Sequence, residues 1–198
     1  MNDDLIILHD ARTPRADAQR NRDLLLNTAR RLFEQHGVDS VPMSAVAEAA
    51  GVGKGTLYRH FPNKTELCAT LIDEDQRGLQ ERTFTRMRQV RDPLANLRWF
   101  LGEAIAFVER NEAFLSSANE GLMPLMHPAH AWWLQTIRGL LGQALGANPH
   151  GINVQSAAMM LYIMIDPRSI HFQKQAQNWD GERILEGLWS VVERLVAA

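Results

Sequence analysis

Apolar positions along the chain recur at helical spacing, and no alternating strand pattern with hairpin turns interrupts them. Leu25, Ala29, Leu32 and Phe33 fall at i, i+4, i+7 and i+8, one face of a helix predicted from about Asp17 to His36. Gly37 follows where a left-handed cap residue belongs. A short second helix is predicted from about Pro42 to Ala50, with Pro at the first helical position and Met43, Val46, Ala47 and Ala50 inward. Gly51 and Val52 make a tight turn, and a third helix runs from about Lys54 to Phe61, with Leu57 and Phe61 facing inward.

Pro62-Asn63 closes that unit. Asn63 is a good N-cap, with Glu66 three residues later, for a long helix reaching about Arg88. Breaks are expected near Arg110-Asn111, Gly121 to Pro124, Gly146 to Gly151 and Asp166-Pro167, leaving about five more helices. The last, about Asp180 to Val196, carries Ile184, Leu188, Val191, Val192 and Leu195 at helical spacing. The expected fold is all-α in two parts. An N-terminal arm is expected over 1–14, a three-helix domain over 15–62, and a larger helical domain over 63–198.

Composition narrows the setting. With 198 residues the chain is long enough to bury a core without staples, and its single cysteine, Cys68, excludes an internal disulfide framework. The acidic start, Met1-Asn2-Asp3-Asp4, is unlike a basic signal peptide, and the longest apolar run, Ala157 to Ile165, is about half a membrane span. A soluble, cytoplasmic protein without membrane contact is expected. The net charge of −2 is uneven: residues 11–64 hold nine Lys/Arg against five Asp/Glu, and acidic groups outnumber basic ones on both sides. Only the front end is suited to a polyanion.

The stretch from Met43 to Lys64, MSAVAEAAGVGKGTLYRHFPNK, joins two short helices through a glycine turn, which defines a helix-turn-helix. Leu57 and Phe61 hold the second helix down, leaving Lys54, Thr56, Tyr58, Arg59 and His60 on or beside its outward surface to meet phosphates and base edges. Lys64 sits just beyond, where a cation can hold a phosphate. Each has a plainer alternative: Tyr58 packing on the first helix, His60 capping a neighbour, Lys64 as a solvated charge. Arg12, Arg15, Arg20 and Arg22 either track phosphates as an arm or are simply solvated.

These residues closely resemble the signature of the TetR (tetracycline-repressor-like) family of bacterial transcriptional regulators. The matching string runs from Ala29 and Phe33 through Gly37, Val46-Ala47, Ala50-Gly51-Val52, Gly55, Leu57-Tyr58, His60-Phe61 and Lys64 to Leu67, about a quarter of the chain. The resemblance implies a homodimeric all-α repressor of about nine helices whose two recognition helices enter successive major grooves of a palindromic operator. Carried over by position, Lys54, Thr56, Tyr58, Arg59, His60 and Lys64 are the DNA contacts. Two positions depart from the family pattern: Pro42 stands where a Ser or Thr cap is usual, with Ser44 nearby to supply a hydroxyl to DNA, and Gly53 stands where the recognition helix is often capped by Ser.

The back domain concentrates large, adaptable apolar groups, among them Trp99, Phe107, Met123, Trp133 and Met160. They serve either as an ordinary helical core or as a pocket for a flat or greasy ligand, with Glu103 and Asn119 as polar anchors. By the resemblance, such a pocket binds a small-molecule inducer that releases the protein from DNA. Also by the resemblance, the helices at about Gly151 to Asp166 and Asp180 to Val196 form a four-helix bundle with their mates. The stripe ending in Trp189, Val192 and Val196 is more apolar than one half-solvated helix needs.

Other motifs fall away. Gly51-Val-Gly-Lys-Gly-Thr56 lacks a Ser/Thr directly after Lys, and Glu48 stands where a phosphate loop needs Gly. His127 and His130 are spaced three apart, but Pro128 and the lack of nearby Cys argue against a metal. Asp73-Glu74-Asp75 point in different directions on a helix, a poor shared site. No nucleophile–base–orienter arrangement can be read, so neither catalysis nor a cofactor is expected. The rival readings are an activator or ligand-independent DNA binder, and a helical enzyme whose front domain binds a partner protein.

Overall fold

The computed structural model describes residues 14–117, 128–147 and 151–197. Among these residues there are nine helices and no strand: α1 (Pro14–His36), α2 (Met43–Ala49), α3 (Lys54–His60), α4 (Lys64–Gln89), α5 (Pro93–Ser117), α6 (Pro128–Leu145), α7 (Val154–Met164), α8 (Pro167–Gln177) and α9 (Gly181–Ala197). The chain divides into two compact units, and the division falls inside α4, between Leu67 and Cys68.

In the first unit α1, α2 and α3 pack pairwise around Leu25, Leu26, Ala29, Phe33, Val46, Ala47, Leu57 and Phe61, all buried. Two glycines set the connections. Gly37 has φ +80 and donates its N–H to the Phe33 carbonyl at 2.9 Å, closing α1 with a left-handed residue. Gly51 has φ +66 in the α2–α3 turn, where an L side chain is strained, and Val52 N–H returns to the Ala47 carbonyl at 3.0 Å. Pro42 is the N-cap of α2 rather than its first residue and gives no side-chain cap; Gly53 likewise caps α3 without one.

In the second unit α5 packs against α6, α8 and α9, and α6 against α7. Asp and Asn caps start most of these helices: Asp92 accepts from Leu94 N–H (2.9 Å), Asn153 from Ser156 N–H (2.9 Å), Asp166 from Arg168 N–H (3.0 Å) and Asp180 from Arg183 N–H (2.8 Å). The core runs through Leu79, Leu97, Phe100, Ala104, Phe107, Trp133, Ile137, Leu161, Ile184 and Val192. Its aromatic centre is edge-on: ring centroids are 5.5 Å apart for Phe100–Trp132 and 5.4 Å for Phe107–Trp133.

Three expectations about this unit are corrected. No break occurs at Arg110-Asn111, and α5 runs through it. Asn111 is fully buried, and its Nδ2 donates to the Phe107 carbonyl one turn back (2.9 Å), so it sits inside the helix instead of ending it. A separate helix, α8, lies between the two expected to close the chain. Asn178, at φ 54 and ψ 38, ends it in the left-handed region, and Asp180 caps the next. Finally, Trp189 and Val192 are buried within the unit and Val196 packs partly against the same core, so that stripe is not spare surface.

Candidate nucleic-acid interface and effector site

Seven-residue helices are not stable alone, so α2 and α3 take their geometry from the side chains beneath them. Leu57 is the buried residue of α3 and is wholly inaccessible; Phe61, at the C-cap, is 2% exposed and donates its N–H to the Leu57 carbonyl at 2.8 Å. The Arg22 guanidinium lies 5.7 Å from the Phe61 ring centroid, which ties α1 to the end of α3. With Leu57 pinned inward, Lys54, Tyr58 and Arg59 are exposed, and Thr56 and His60 are half-buried beside them. Tyr58 is 48% exposed, which leaves part of its ring open to solvent.

Arg59 folds back along its own helix. Its Nε donates to the Gly55 carbonyl at 3.2 Å and its Nη2 to the Thr56 hydroxyl at 3.1 Å. Both bonds lie on the exposed surface, so the fork can be re-aimed at little cost. Ser44 is half-buried in the first turn of α2. Lys64 is more engaged than a solvated cation: its Nζ donates to the carbonyls of Val38 (2.8 Å) and Asp39 (3.3 Å), pinning the α1–α2 loop to the start of α4. Asn63 caps that start, accepting from Glu66 N–H at 2.8 Å.

The expected effector residues are not all brought together. Phe107 and Trp133 are buried edge to face. Trp99 is partly buried against the core, with the Arg86 guanidinium 5.1 Å from its ring centroid. Glu103 is no buried anchor, because its Oε2 accepts from Arg82 Nε (3.1 Å) and Nη2 (2.8 Å) in a partly exposed ion pair. Met160 is 68% exposed on the outward face of α7 with Met159, Ile163 and Met164, so it does not line the core beside Trp133. Asn119, Met123 and His127 lie outside the described residues.

Two residues the sequence reading missed sit where the pocket was sought. Gln76 Oε1 accepts from Trp133 Nε1 at 2.9 Å, and Asn111 Nδ2 donates to Asp75 Oδ2 at 2.9 Å. The available signal was register. Gln76 falls in the stripe Leu71, Ile72, Leu79, and Asn111 in the stripe Ala104, Phe107, Val108, Phe114, so each is a polar residue at an apolar position. His130 Nδ1 is hydrogen bonded to the Tyr162 hydroxyl. Burial, and next the Asp166 carboxylate, push that phenol up to about 12. Among the described residues no group of three or more His, Cys, Asp or Glu could hold a metal ion, and no helix is long and apolar enough to cross a membrane.

Comparison with known proteins agrees with this geometry. The family model described as "Bacterial regulatory proteins, tetR family" matches residues 25–71. An HTH-type transcriptional regulator of Staphylococcus aureus (strain USA300) is 37% identical over 78 residues, 39% of this chain. The match spans 40% of that relative's length. A TetR-family transcriptional regulator from Pectobacterium atrosepticum superimposes with a TM-score of 0.68 at 19% identity, covering 92% of this chain and 95% of the other. The transcriptional regulator FadR from Bacillus subtilis, solved in complex with stearoyl-CoA, gives 0.64 at 20% identity, covering 88% and 97%. At these identities the two solved structures establish the shared fold. The sequence matches are confined to the front of the chain, where residues 25–71 are similar to the tetR family of bacterial regulatory proteins.

Proposed function

We propose that this protein is a homodimeric transcriptional repressor that reads a palindromic operator through paired α3 helices and is released by a small, largely hydrophobic ligand. The observation that carries the reading is the recognition helix itself: Leu57 wholly buried beneath, Lys54, Tyr58 and Arg59 exposed above. Ser44, Thr56, His60 and Lys64 complete the proposed contact set. Two-fold symmetry sets half-site centres one duplex turn or a multiple apart, ~34 Å per turn. Ligand in the second unit acts through α4, whose first turn belongs to the DNA-reading unit. It acts only as far as it prefers one helix setting over another, about 1–3 kcal/mol of coupling.

In vitro selection of duplex sequences by the purified chain tests the reading. An enriched inverted repeat is expected, and no enrichment above background would remove it. Within that operator, Arg59→Ala is expected to relax preference at one position by about 1–3 kcal/mol; uniform weakening would make Arg59 a backbone contact.

Lys64 has a double role. Two of its three N–H donors hold the loop carbonyls, leaving one for a phosphate. Lys64→Ala is therefore expected to lower the salt slope of binding by about one and to destabilise the first unit by about 1 kcal/mol. Salt titrations of affinity and urea unfolding check the two halves separately.

A further inference from the structure

Gln76 is 6% exposed and Asn111 is completely buried, yet each carries a polar atom without a hydrogen-bond partner: Nε2 of Gln76, a donor, and Oδ1 of Asn111, an acceptor. Neither amide can be turned to relieve this. Flipping Gln76 would set its nitrogen against Trp133 Nε1, which only donates. Flipping Asn111 would set its oxygen against two acceptors, Asp75 Oδ2 and the Phe107 carbonyl. Both residues lie on the seam of α4, α5 and α6, linked through Trp133 and Phe107, whose rings meet edge to face. A helical core has no structural need for two unsatisfied amides at apolar positions.

We infer that this seam binds a small uncharged molecule through Gln76 and Asn111, with a head group, such as a carboxamide, that offers both an acceptor and a donor. The inference rests on the ligand-responsive reading above and gives its effector a chemical class. An acceptor on the ligand takes the Gln76 N–H, and a donor meets the Asn111 oxygen. Both protein groups are neutral, and the ionisable group bonded to Asn111 is a carboxylate, so an anionic head gains nothing here and is repelled. The aromatic edges of Phe107 and Trp133 suit an apolar body.

The test is thermal melting of the full chain with decanamide and 2-naphthamide, against decanoate, 2-naphthoate and methyl decanoate. At saturation at least one amide is expected to raise Tm by about 5 °C, and the carboxylates and ester by under about 1 °C. Gln76→Met and Asn111→Leu are each expected to abolish the amide shift while still retaining duplex DNA. Either variant suffices if the other fails to fold. The inference is overturned if no amide shifts Tm, if the shift survives both substitutions, or if the carboxylates match the amides. A shift with the ester or carboxylates alone would leave ligand response standing and remove only this head group. Loss of DNA retention by the unsubstituted chain would instead defeat the regulator reading.

Discussion

Truncating Leu57 to alanine is expected to cost the first unit about 3 kcal/mol and to abolish DNA binding while most of the helical signal remains. Leu57 is wholly buried and is the one interior residue of a seven-residue helix. Such a helix has too few internal hydrogen bonds to survive without its tertiary contacts. The cavity left by three methylene-sized groups cannot collapse easily, because Gly51 holds its left-handed turn on one side and Phe61 closes the helix on the other. Lys54, Tyr58 and Arg59 would then lose their common surface together, not one by one. Urea unfolding read by circular dichroism, paired with gel retardation on the selected operator, measures both effects. Retained operator affinity in a destabilised L57A chain would show that α3 is not the reading element.

The front unit was legible because its signals are local. Gly37 and Gly51 mark left-handed turns, Asn63 caps the next helix, and Leu25, Ala29, Phe33, Val46, Ala47 and Leu57 occupy positions that one helical period assigns to one face. The second unit was legible in part. Asp166-Pro167 reads as a break, and so it is, but the helix that starts there went unread, and Asn178 does not advertise its left-handed stop, since asparagine is equally at home in a solvated helix surface. Asn111 misled for the converse reason: an asparagine looks like a breaker until a half-buried carboxylate and a carbonyl one turn back take up its N–H donors.

Met160 shows a limit of periodicity itself. From Ala157 to Ile165 every residue is apolar, so the pattern cannot say which side turns inward. Tertiary packing chose Ala158, Leu161, Tyr162 and Ile165 for the interior. The partners of Glu103 and Gln76 are likewise distant in sequence, Arg82 from α4 and Trp133 from α6, and only folding brings them together.

The face that packing left outside leads to the other large effect. Met159, Met160, Ile163 and Met164 on α7 are between 39% and 68% exposed, and Phe172 on α8 is 63% exposed. Positions 159, 160, 163 and 164 share one helix face, so the apolar surface is contiguous along α7. With Trp189 and Val192 buried inside their own unit, this α7–α8 face, rather than the α9 stripe, is the proposed contribution of the closing helices to the dimer. The double substitution Met160→Glu and Ile163→Glu places two like charges per protomer at a two-fold contact and is expected to give a monomer that remains folded, because neither side chain is in the core. Operator binding then loses the advantage of two linked half-sites, about 10²–10⁴-fold in affinity. Sedimentation fixes the assembly state, and titration against duplexes carrying one or two half-sites fixes the mechanism. The monomer should bind both duplexes equally weakly, whereas the unsubstituted chain should strongly prefer two. A variant that stays dimeric would move the interface off α7.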